Sequence, residues 1–138
     1  MIHSGFFLKK IMKKAQQQAK VFIAQGKRNL NLAKNELLKP QKDVLLYSVC
    51  KNSQFTIENY LKGFLIENDV YVEQDLPLQG LLDECIKIDS RFESFDLADV
   101  NCRSNKIDSR YCTSYDTVCN CFDTADNLDT FYRKINLI

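Results

Sequence analysis

DVLLYSVCKNSQFTIENYLKGFLIE, residues 43–67, decides the fold. Its apolar residues Val44, Leu45, Leu46, Val49, Cys50, Ile57, Tyr60, Leu61, Phe64 and Leu65 recur at helical spacing but occupy more than one face. A helix that is apolar around most of its circumference packs against several neighbours, so this segment is expected to be the central element of an all-α protein. Asp43 is placed to cap its start, and Asn68 and Asp69 to end it.

Upstream, Ile11, Ala15, Ala19, Phe22, Ile23, Leu30, Ala33 and Leu37 keep a period near 3.6 and predict a helix over 6–38, so that residues 1–39 form a basic N-terminal helix. Gly26 is expected to bend or interrupt it, and Pro40 to close it. Downstream, Pro77 suits a first helical turn and leads a third helix through Leu78, Leu81, Leu82, Cys85 and Ile86 to Ile88. A short additional helix is expected over 97–102. Thr113 with Asp116 resembles a capping box ahead of Tyr115, Val118, Cys119, Phe122, Ala125, Leu128, Tyr132 and Ile135, which predicts a last helix over 114–134. The sum is a single domain over 1–138, an antiparallel up-and-down four-helix bundle with an additional short helix.

With 45% hydrophobic and 27% charged residues, 4 Gly and 2 Pro, the 138-residue chain excludes disordered, collagenous and linker classes. No run approaches the roughly 18–20 apolar residues of a membrane span, and Lys9 and Lys10 cut short the apolar stretch 5–8 before it could form a signal-peptide core. A soluble, cytoplasmic protein is expected, with its six cysteines reduced. Cys102, Cys112, Cys119 and Cys121 are spaced C-x9-C-x6-C-x-C, without a C-x-x-C pair, and the sole histidine is His3. On a helix Cys119 and Cys121 point about 200° apart, which does not suit one zinc ion. No metal and no cofactor are expected.

Charge is split along the chain. Residues 1–42 carry ten basic side chains and one acid, Glu36, for a net +9, whereas residues 43–138 carry a net −8. Such a split marks either a footprint for phosphate, an anionic membrane or an acidic partner, or a basic helix that lies against the acidic remainder or simply solvates one of its faces.

Three segments carry a family resemblance. Ile57-Glu58-Asn59-Tyr60-Leu61-Lys62-Gly63-Phe64-Leu65 is similar to an E-x-x-L-K signature; Leu76-x-Leu78-x-x-Leu81-Leu82 and Ser109-Arg110-Tyr111 follow it in order. In this the chain resembles the HEPN domain, a helical family of higher eukaryotes and prokaryotes named for nucleotide binding, over residues 40–138. Leu76 stands where relatives often carry histidine, and Cys112 where they often carry the proline of R-Y-P. The resemblance implies a homodimer, association with nucleotides or RNA, and pairing with a nucleotidyltransferase in a toxin-antitoxin arrangement. Ribonuclease members use an R-x(4–6)-H motif at a dimer interface, but His3 precedes every arginine here. Metal-independent cleavage needs a group titrating near neutral pH, so the expectation is a non-catalytic binding protein with no catalytic residue.

The candidate ligand-binding residues are Glu58, Lys62, Arg103, Arg110 and Tyr111. Glu58 and Lys62, four apart, share a helix face, where a solvated pair is the plain alternative. Arg110 and Tyr111 precede the N-terminus of the last helix, whose amides favour anions; packing within the bundle is their plain alternative. Two further readings stand beside the binding one. A divergent metal-independent ribonuclease would use Arg103, Arg110 and Tyr111 with acids from a dimer partner. A peripheral membrane protein would insert Phe6, Phe7 and Leu8 beside the basic helix. Phe92, Phe95, Phe131 and Tyr132, more aromatic surface than a small core needs, fit a dimer interface or a closed bundle end.

Overall fold

The computed structural model describes residues 2–98, 100 and 114–138, with side chains described from residue 14 onward. Helix α1 spans Ile2–Leu37, α2 Leu46–Glu67, α3 Leu78–Ile88 and α4 Tyr115–Lys134; single 3-10 turns occupy Gln41–Asp43 and Ser90–Ser94. No strand occurs among the described residues, so the fold is an all-α helical bundle. As its apolar circumference requires, α2 is central and touches each of the other three helices. Tyr60 faces Gly26 while Gly63 faces Ile23, so α1 and α2 are antiparallel. Tyr60 meets Asp129, and Val49 and Cys50 cluster with Val118, so α4 runs parallel to α2.

Gly26 does not interrupt α1, which is continuous; it lets two helices approach. A Cβ there would lie 2.5 and 2.6 Å from the Tyr60 ring carbons, and one at Gly63 would lie 2.6 Å from Ile23 Cγ1. Without side chains at these two crossing points the backbones come close enough for the Thr56 hydroxyl to donate to the Gly26 carbonyl at 2.9 Å. Ala19 and Ala33, both fully buried, keep the rest of the α1 seam thin. Polar side chains line one side of the contact: Asn29 accepts from Gln25 at 3.2 Å and donates to Asn52 at 3.1 Å.

Asp43 does not cap α2. It closes the 3-10 turn after Pro40, its amide donating to the Pro40 carbonyl at 2.8 Å, and the helix begins three residues later at Leu46. The capping role falls to Glu36 at the end of α1, whose carboxylate accepts from the Leu45 amide at 3.0 Å and pairs with Lys39 at 3.0 Å. The backbone bond and then Lys39 hold the Glu36 carboxyl below its ordinary value of 4.5. A carboxyl lowered on folding stabilises the native state above its unfolded pKa and loses that contribution as pH falls through the folded one. Glu36→Gln is therefore expected to be less stable than the parent at pH 7 in urea titrations, with the gap closing below about pH 4. A gap of equal size at pH 7 and pH 3 would refute the cap.

The end of α2 follows the expected pattern: the Asn68 side chain donates back to the Phe64 carbonyl at 2.8 Å, and Asp69 turns into the left-handed region at φ 60°. Pro77 sits one position ahead of the first turn of α3, as its N-cap. The short helix expected over 97–102 is not formed at its described residues, where Leu97 and Val100 close a turn; residues 99, 101 and 102 lie outside those described. The additional element is instead the Ser90–Ser94 turn, capped by the Asp89 carboxylate through the Arg91 amide at 3.0 Å. It drives Phe92 into the core against Phe64, Phe131, Phe95 and Tyr132. Phe92 and Tyr132 are fully buried in this cluster, and Phe95 and Phe131 are partly buried against it. Ser114 caps α4, accepting from the Thr117 amide at 3.3 Å; Thr113, the expected cap, lies outside the described residues.

Candidate functional site

Of the five candidate ligand-binding residues, two lie among those described. Glu58 and Lys62 form the expected pair on α2, 2.9 Å apart. They share that face with Tyr47, Lys51 and Phe55, the Lys51 ammonium standing 5.9 and 5.7 Å from the two ring centroids. Two residues either side of Tyr60, they are turned about 160° from it and away from the α1–α2–α4 contact. Arg103, Arg110 and Tyr111 lie outside the described residues, as do Cys102 and Cys112 and the side chains of Phe6, Phe7 and Leu8. Cys85, Cys119 and Cys121 form no disulfide, and burial pushes the Cys85 thiol up to about 12, which keeps it protonated. Among the described residues no three His, Cys, Asp or Glu side chains converge to hold a metal ion, and no helix is long and apolar enough to cross a membrane.

Among the described residues the charged side chain buried in the interior is Asp129 of α4, which no motif flagged. Its carboxylate is 1% exposed and takes three partners from three directions. The Tyr60 hydroxyl donates at 2.6 Å, the Lys27 ammonium approaches to 3.3 Å, and Arg133 one turn along α4 donates at 2.7 Å. Tyr132 stacks on Tyr60 with ring centroids 4.9 Å apart and donates its own hydroxyl to the Tyr60 carbonyl. Burial first, and then the Asp129 charge, raise the Tyr60 phenol far above its ordinary value; burial does the same for Tyr132. Both tyrosines are therefore donors at any physiological pH, and neither can serve as a base or a nucleophile. The sequence did hold a signal: Asp129 falls on the stripe of Ala125, Leu128 and Tyr132, and a carboxylate in that register demands partners.

Lys27 belongs to a regular row. Lys13, Lys20, Lys27 and Lys34 stand seven residues apart, and seven residues of helix turn the register by only about 20° while advancing about 10 Å. The row meets α4 at two points, Lys27 at Asp129 and Lys34 at Asp126, the latter pair 4.0 Å apart. Higher numbers on α1 meet lower ones on α4, so these helices are antiparallel. Of the alternatives for the basic segment, the contact with the acidic remainder is formed in part: Lys27 and Lys34 lie against acids of α4, while Lys14 and Lys20 are exposed. No family model, curated protein or solved structure matches the chain. Chemically, the seam between α1 and α4 offers half-exposed cations at its rim and a buried carboxylate beneath them, an arrangement suited to holding an anion.

Proposed function

We propose that the protein is a HEPN-like, non-catalytic RNA-binding bundle that grips the phosphate backbone with α1. The observation that carries this reading is the lysine row, in which Lys20 is exposed and Lys27, although paired with Asp129, stays half exposed, while Lys34 lies against Asp126. Phosphate contacts of this kind are electrostatic and release counterions, so affinity falls steeply with salt and carries little sequence preference. The resemblance adds a homodimer and a nucleotidyltransferase partner to the proposal; of the aromatic residues that suggested dimer surface, Phe92 and Tyr132 are taken up by the core, while Phe95 and Phe131 are partly buried.

The test is fluorescence anisotropy with a labelled 20-nucleotide single-stranded RNA from 50 to 300 mM salt. The expected result is binding whose log K falls with log salt at a slope of about −2 to −3, as three or four phosphate contacts would give, with the RNA intact afterwards. No binding at 50 mM salt, or binding only to anionic vesicles, would overturn the reading. Cleavage that survives purification and requires Arg110 would replace it with the ribonuclease alternative.

A further inference from the structure

Asp129 and Asp126 divide the lysine row into unequal halves. Going from Lys27 to Lys20 moves about 10 Å along α1, and going from Asp129 to Arg133 moves about 6 Å along α4 in the same direction, because the helices are antiparallel. Lys20, Lys27 and Arg133 thus gather at one end of the seam. There Lys27 and Arg133 share the Asp129 carboxylate and remain 43% and 56% exposed, and Lys20 is exposed one step further along the row. Towards the other end Lys34 faces Asp126, and Asp123 stands exposed one turn further along α4.

We infer that the RNA phosphate site is a two-helix site, made where Lys20 and Lys27 of α1 meet Arg133 of α4, and that Asp126 excludes Lys34 from it. The inference rests on the RNA-binding reading and sharpens it. Asp129 acts as a positioning residue: bonded to both Lys27 and Arg133, it fixes their heads beside one another, so that less side-chain freedom is lost when a phosphate bridges them. Arginine suits the place because its planar fork can serve Asp129 with one edge and a phosphate with the other.

The experiment compares Lys20→Gln, Arg133→Gln, Arg133→Lys and Lys34→Gln in the same salt titration. Lys20→Gln and Arg133→Gln are each expected to weaken binding roughly fivefold at 0.1 M salt and to make the slope shallower by about 0.7, the value of one single-strand phosphate contact. Arg133→Lys should retain the slope, and Lys34→Gln should change affinity by less than about twofold. If the parent binds but Arg133→Gln is silent, or Lys34→Gln matches Lys20→Gln, the two-helix site is wrong while RNA binding stands. If the parent does not bind, both fall. Should Arg133→Gln fail to fold, the contrast of Lys20→Gln with Lys34→Gln still decides, since both of those lysines are exposed.

Discussion

Phe92→Ala is expected to remove about 3–5 kcal/mol of stability, the range for deleting a fully buried aromatic ring. Phe92 has no exposed surface, and its ring centroid lies 4.6 Å from that of Phe64 and 5.1 Å from that of Phe131, the latter edge-on. Because it hangs from a five-residue turn pinned by Asp89, the backbone that carries it cannot slide inward to fill the space as a long helix might. Phe92→Leu, which keeps most of the volume, should recover more than half of the loss. Urea unfolding followed by circular dichroism measures both, and a loss below about 1 kcal/mol for alanine would show that the aromatic end of the bundle is not closed as described.

Asp129→Ala is expected to cost about 3 kcal/mol. Most of this comes from the Tyr60 hydroxyl, which is buried and would lose its partner, a penalty of about 1–3 kcal/mol. The ionic part is smaller, because Lys27 and Arg133 are half exposed and water screens them; a few tenths of a kcal/mol each is the appropriate scale. A double-mutant cycle separates the contributions. Once Tyr60→Phe has removed the hydroxyl, Asp129→Ala should cost at least 1 kcal/mol less than it does alone. Strictly additive losses would mean that the hydroxyl and the carboxylate do not depend on each other.

The helices themselves were legible wherever one chain segment sufficed to specify them. The multi-faced apolar pattern of 43–67 announced a central helix, the Asn68-Asp69 pair ended it, and the register from Tyr115 to Ile135 described α4. What could not be read are features whose partners come from elsewhere in the chain. Glu36 caps α2 from nine residues away because a 3-10 turn folds the chain back; by local rules Asp43 was the better candidate. Gly26 looked like a break in one helix and is an accommodation between two. The Glu58–Lys62 pair was legible because it is local, yet it lies across α2 from the charged centre. That centre draws Lys27, Tyr60, Asp129 and Arg133 from three helices, and no spacing rule links residues 27, 60 and 129.

The double attachment of α4 to Tyr60 bears on the order in which the chain can complete itself. The α1–α2 hairpin joins segments that leave the ribosome close together and can pair early, since its glycine crossing uses only residues before 64. Tyr60, however, receives Asp129 on its hydroxyl and Tyr132 on its carbonyl, at separations of 69 and 72 residues. Both bonds wait for a stretch translated more than sixty codons later. A hairpin paired early thus lacks both of these Tyr60 bonds until residues 129–132 arrive and tie α4 to it.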